Sequence, residues 1–183
     1  MRLLTVGLGT LPGEAAAAGV DFSTRGRRAD EAIDALRRLW AGDATGASFE
    51  GEFFSFREVC SFPKPFNADT LPVHVGGSSR AAARRAGARG DGYFPGGRLA
   101  PAERSRQLAL MRAAAVEAGR DADRLEYTRW GSIDMDAAAV AAFASQGVTR
   151  LVVATSAAGL DRRREELSAF ADRLGLGGAA ATR

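Results

Sequence analysis

The stretch Leu71-Pro72-Val73-His74-Val75-Gly76-Gly77-Ser78-Ser79-Arg80 decides how this sequence folds. Three apolar or aromatic residues after a proline make a short strand. Two glycines end it, and two hydroxyl residues then stand where a helix N-cap belongs. A strand running straight into a capped helix is one βα unit. Its turn can do two things. Glycine lets a ligand approach the backbone, and a helix N-terminus offers N–H groups to an anion, so Gly76, Gly77, Ser78 and Ser79 could cradle a phosphate. The same residues also serve as a plain tight turn with a serine cap. This segment alone leaves both readings open.

The same alternation extends in both directions. Upstream, residues 3–8 form an apolar run closed by Gly7 and Gly9, which predicts a buried strand. Ser23-Thr24 is a candidate N-cap, and Ala29, Ile33, Leu36 and Trp40 recur at helical spacing up to Gly42, with Trp40 on the core face. Residues 47–66 carry Phe49, Phe53, Phe54, Phe56, Phe62 and Phe66, with Gly51, Pro63 and Pro65. They predict a small hairpin followed by a proline-stiffened excursion.

Downstream, strands are expected at 91–94, 125–130 and 151–154. Helices are expected from Ser79 to Arg89, Pro101 to Ala118, Ala137 to Ser145 and Leu160 to Leu174. Five βα units with short apolar strands predict an α/β protein with a parallel, helix-covered sheet. They fall short of a closed eight-stranded barrel, which takes about 250 residues. One domain over 1–174 and a flexible Gly/Ala tail over 175–183 are expected.

Composition narrows the function classes. With 183 residues, 46% hydrophobic and 26% charged, the chain is an ordinary globular protein rather than a fibrous or disordered one. Cys60 is the single cysteine, which excludes an internal disulfide, and His74 is the single histidine, so no metal site is expected. The net charge is +3, and arginine runs such as Arg25, Arg27, Arg28 and Arg80, Arg84, Arg85, Arg89 read as solvated helix faces, with contact to an anionic ligand as the alternative. No nucleic-acid motif accompanies them. Thr5, Gly7 and Gly9 interrupt the apolar N-terminal run, which reads against a signal peptide, and no stretch reaches the roughly 20 apolar residues of a membrane span. The expected location is the cytoplasm.

Few residues invite a catalytic role. His74 lies within a strand without a neighbouring carboxylate and reads as structural or pocket-lining. Cys60 reads as a packing residue and Asp91 as a structural cap. Gly7-Leu8-Gly9 lacks the third glycine and following helix of a dinucleotide fingerprint. Gly90-Asp91-Gly92-Tyr93 reads as a βα corner. Ser-His-Asp, HExxH and P-loop patterns are missing from the sequence.

The order of these segments resembles the luciferase-like monooxygenase superfamily, and within it the F420-dependent oxidoreductases. The resemblance is carried by Val6-Gly7-Leu8-Gly9, Gly19-Val20-Asp21-Phe22, Arg25 to Glu31, Leu36 to Trp40, Phe49-Glu50-Gly51 and Phe62-Pro63-Lys64-Pro65. The strongest block is Leu71 to Ser79, followed by Ala81 to Ala86 and Gly90-Asp91-Gly92-Tyr93.

The resemblance implies a partial TIM (β/α)8 barrel of about five βα units. It also implies a reduced deazaflavin, coenzyme F420, or alternatively FMN, acting by hydride transfer or monooxygenation on a small organic substrate. Cofactor-binding positions carried over are Gly7, Gly9, Gly76, Gly77, Ser78, Ser79 and Gly92. The opening strand resembles a middle strand of the family barrel, so about three earlier βα units are expected to be absent. Thr10 stands where the family often has an aromatic residue. No catalytic residue is therefore carried over. The alternative is a non-catalytic remnant that binds a phosphate-bearing ligand or self-associates through an open sheet edge, and a homo-oligomer is expected.

Overall fold

A computed structural model describes residues 3–66, 71–97 and 99–176. The chain forms two compact units, residues 1–125 and 126–183. The tail expected after Gly175 lies, from residue 177, outside the described residues.

The first unit is built on three parallel strands in the order β1 (Leu4–Val6), β4 (Val73–Gly76) and β5 (Gly92–Phe94). Between β1 and β4 come α1 (Pro12–Ala17), α2 (Arg25–Ala41) and an antiparallel hairpin of β2 (Ala47–Glu50) and β3 (Ser55–Val59). Helix α3 (Arg80–Arg89) follows β4, and α4 (Pro101–Glu117) follows β5.

The expected βα units and hairpin are present, and two local details differ. Helix α1 was not anticipated, because Gly13 and an alanine run carry no amphipathic period, although Pro12 at its start suits a first turn. The entry to α2 is capped one turn early. Asp21, rather than Ser23 or Thr24, accepts from the Ser23 N–H at 2.8 Å and the Ser23 hydroxyl at 2.9 Å, closing a 3₁₀ turn over Phe22–Thr24. The Thr24 hydroxyl donates to the Asp21 carbonyl instead.

Val73, Val75, Tyr93, Met111, Ala83, Ala86 and Ala115 form the core between sheet and helices. Small residues let α3 and α4 close to backbone contact. A Cβ at Gly87 would run into the Met111 carbonyl and come within 2.9 Å of the Ala115 nitrogen.

The arginine run on α3 is only partly a solvated face. Arg80 and Arg84 are exposed, whereas the Arg85 side chain is 5% exposed and reaches the Asp30 carboxylate at 2.5 Å and the Gly26 carbonyl at 2.9 Å on α2. One turn on, Arg89 pairs with Asp34 at 3.0 Å. Acids and arginines each spaced by four residues thus form a two-rung ladder between the helices. The reading of Arg85 as solvated is corrected: its partner lies 55 residues away and no local pattern shows it.

Asp91 is structural, as expected. It accepts from the Val73 N–H at 2.9 Å, from Arg37 at 2.9 Å and from Arg120 at 2.9 Å, tying the starts of two strands to two other segments. The Glu31 carboxylate on α2 accepts three backbone N–H bonds, from Glu52, Phe53 and Phe54, at 2.9, 2.8 and 2.7 Å. That carboxylate seats the hairpin turn against the helix. Cys60 is exposed, and its thiol approaches the Ala44 carbonyl at 3.4 Å, so the packing role expected of it is not found. Trp40 is half-buried.

The second unit repeats the βα pattern with β6 (Glu126–Ser132), α5 (Ala137–Ala144), β7 (Arg150–Ala154) and α6 (Leu160–Arg173). Its two strands are parallel, with Thr128 opposite Arg150 and Ser132 opposite Ala154. Asp136 caps α5 by accepting from Ala139 N–H at 2.8 Å. Arg173 on α6 donates to the Met135 carbonyl at 3.1 Å, and Phe170 closes the small core.

Candidate functional site

The strands of the first unit are parallel, so their C-terminal ends lie at one edge of the sheet. Three glycine-bearing turns gather there: Gly7 to Gly9 after β1, Gly76-Gly77 after β4, and Gly96-Gly97 after β5. Gly76 sits in the middle. A Cβ there would stand 3.4 Å from the Val6 carbonyl on one side and 3.8 Å from the Phe94 carbonyl on the other. Beyond it the turns open outward, since a Cβ at Gly7, Gly9, Gly96 or Gly97 would meet nothing within 4 Å. Gly9, Gly77 and Gly97 hold φ of 69°, 113° and 71°, which side-chain-bearing residues rarely adopt.

Ser79 ends the middle turn as the N-cap of α3, its hydroxyl accepting from the Ala82 N–H at 3.1 Å. Ser78 and Arg80 beside it are exposed. The turn therefore joins a glycine-opened strand end to a helix N-terminus with free approach from outside. Its backbone N–H groups and the helix dipole favour an anion.

A residue with no signature in the sequence holds this turn from behind. Gln107 on α4, 3% exposed, donates its side-chain N–H to the Ser78 carbonyl at 2.7 Å and accepts from the Tyr93 hydroxyl at 2.6 Å. Its amide also donates to Glu103 at 3.1 Å. A lone glutamine within an alanine-rich helix gives no spacing signal, and only the fold brings it under the turn. Glu103 is held below the usual carboxylate range by hydrogen bonds from Arg106 and Gln107 and by the nearby charges of Arg106 and Arg80. Partial desolvation opposes them.

The structure separates Gly92 from the other predicted site glycines. Gly90 to Tyr93 is the turn from α3 into β5, an αβ turn rather than the expected βα corner. Gly92 pairs in register with His74, two residues before Phe94, and so lies about 7 Å below the strand ends. A Cβ at 92 would come within 2.5 Å of the His74 Nε2. His74 is 1% exposed, in keeping with the structural reading of it. Gly7, Gly9, Gly76, Gly77, Ser78 and Ser79 are brought together at one edge. Gly92 makes room for the imidazole beneath them.

Among the described residues, no helix is long and apolar enough to cross a membrane, and no cluster of three His, Cys, Asp or Glu side chains is placed to hold a metal ion.

Comparison with known proteins gives this edge a context. The luciferase-like monooxygenase family model matches residues 3–129. An F420-dependent glucose-6-phosphate dehydrogenase of Nakamurella multipartita is 31% identical over 100 residues, 54% of this chain and 28% of that protein. An FMNH(2)-dependent dimethylsulfone monooxygenase of Pseudomonas putida is 37% identical over 78 residues, 43% of this chain and 21% of that one. An F420-dependent secondary alcohol dehydrogenase, solved with an F420-acetone adduct, superposes with a TM-score of 0.76 at 17% identity, over 94% of this chain and 68% of its own. The chain spans between 21% and 38% of the length of curated relatives that it matches. The parallel βα units are those of the TIM-barrel luciferase-like enzymes. On the match over residues 3–129, the chain belongs to the luciferase-like monooxygenase family.

Proposed function

We propose that this chain is an F420-dependent oxidoreductase of its family, holding the cofactor phosphate on the Gly76-Gly77-Ser78-Ser79 turn. The observation that carries the reading is the opened strand edge, where three positive-φ glycines and a serine-capped helix leave backbone N–H groups accessible. These residues fit a phosphate: a Cβ at Gly7, Gly9, Gly96 or Gly97 would meet nothing within 4 Å among the described residues, and Arg80 adds a positive charge at the first helical position. Gly7 and Gly9 leave room for a flat ring beside that phosphate.

Bound there, a reduced deazaflavin would supply the hydride delivered to a small organic substrate. The chain's own part is to bind and orient. The turn fixes the phosphate, Arg80 offsets its charge, and Gly76 keeps the strand ends clear. His74 and Gly92 support the floor of the sheet. Catalytic side chains are not assigned.

A relative that uses FMNH(2) favours FMN as the second reading, and the same turn suits either phosphate. Titration of the purified chain with F420 and, separately, with FMN tests the proposal. Saturable binding of F420 in preference to FMN is expected, and binding of neither removes the cofactor reading. Strand β1 stands at the edge of its sheet, which favours a homo-oligomer, and a strictly monomeric species in sedimentation would count against the association.

A further inference from the structure

Gln107 is 3% exposed, and its side-chain amide is divided among a loop carbonyl, the Glu103 carboxylate one turn back on α4 and a tyrosine hydroxyl. That is a costly burial for a polar group unless its bonds hold something in place. What it holds is the peptide between Ser78 and Ser79. In a trans peptide the C=O and the following N–H point in opposite directions. The Ser78 carbonyl is drawn at 2.7 Å toward Gln107, on the α4 side of the turn. The Ser79 N–H is therefore turned the other way, toward the exposed mouth of the turn.

Without the donor, nothing given by Gln107 would keep that carbonyl inward. The peptide turns about ψ of Ser78 and φ of Ser79, and Gly77, one residue before it with φ of 113°, lets the chain follow that turn. A rotated peptide would present oxygen to an anion in place of N–H. The pin is itself held. The Ser78 carbonyl and the Glu103 carboxylate can only accept, so they fix which end of the amide faces Ser78, and the Tyr93 hydroxyl, on a fully buried ring of β5, adds a bond to the Gln107 oxygen at 2.6 Å.

We infer that Gln107 is a positioning residue for anion recognition: through the Ser78 carbonyl it orients the Ser79 N–H toward the cofactor phosphate. This rests on the phosphate reading of the turn given above. It concerns discrimination between phosphate-bearing and phosphate-free ligands, and it leaves contacts to the ring system unaffected.

The test compares affinities of the purified chain for F420 and its phosphate-free 5-deazaflavin core, and for FMN and riboflavin. Gln107→Met removes the donor and the acceptor, Gln107→Glu keeps an acceptor for Tyr93 but removes the donor, and Tyr93→Phe keeps the bond to Ser78. In the unaltered protein the phosphate-bearing partner of each pair should bind more tightly. Both glutamine variants should lose at least about tenfold of that preference, the scale of one hydrogen bond to a charged group, with affinity for the phosphate-free forms unchanged. Tyr93→Phe should keep most of it.

If the unaltered protein binds both members of each pair equally, the phosphate reading fails and this inference with it. If it discriminates, and a cooperatively melting Gln107→Met or Gln107→Glu discriminates as well, the inference alone is overturned. A loss in Tyr93→Phe as large as in the glutamine variants overturns it too, because general loosening would then be the cause. Should Gln107→Met fail to fold, Gln107→Glu decides between these results.

Discussion

Gly92 and His74 lie in register on adjacent parallel strands, and the missing side chain of one is the space filled by the ring of the other. The imidazole is 1% exposed and a Cβ at 92 would come within 2.5, 2.7 and 2.8 Å of three of its atoms. Neither residue faces open solvent at the strand ends. Their relationship sets the floor under the glycine turns.

Gly92→Ala should therefore destabilise the protein by about 2 kcal/mol, as overpacking in a closed core does. The partner test is stronger. In a His74→Ala background the added methyl enters the space that the ring left, so the two substitutions should be far from additive. Chemical denaturation of both single variants and the double variant measures this, and additive losses would refute the packing account.

The Arg85–Asp30 pair predicts an asymmetry. The Arg85 side chain is 5% exposed and that of Asp30 30%. Asp30→Ala leaves a guanidinium buried without its counter-charge and should cost about 3 kcal/mol, whereas Arg85→Met leaves a carboxylate that water can reach and should cost less. Equal losses in urea melts would contradict the asymmetry.

Glu31 makes a pH-dependent latch for the hairpin. Partial desolvation, the largest influence, pushes its pKa up. The three backbone N–H bonds and the Arg28 charge together outweigh it, leaving the carboxyl below its ordinary value of 4.5. A lowered folded-state pKa adds stability above the unfolded value, and that stability is lost as pH falls through the folded value. The stability gap between the unaltered protein and Glu31→Gln should be full at pH 7 and shrink below about pH 4. A gap that is constant from pH 7 to 3, read from thermal melts, would contradict the latch.

These residues also show what could be read before the fold was known. The Val73 to Arg80 stretch was legible because strand, turn and cap follow one another within ten residues, and each rests on local backbone chemistry. Asp91 as a structural residue and the hairpin around Gly51 were legible for the same reason. Arg85 was not, because its helix face looks like any basic surface until α2 is laid against it. Gly92 read as a βα corner because glycine marks a close approach without saying what approaches, and His74 lies 18 positions earlier. Gln107 carried no signal, since a single amide among alanines acquires meaning only when Ser78 and Tyr93 are brought to it.

If the turn ending at Ser79 receives a phosphate, Ser79→Asp should block it. Aspartate caps helices as well as serine does, so the fold should be kept with an unchanged melting temperature. Its charge would stand where the phosphate is proposed to bind. Calorimetric titration with F420 should give saturable binding to the unaltered chain and at least about tenfold weaker binding to the folded variant. Equal affinity in the two proteins would contradict the account.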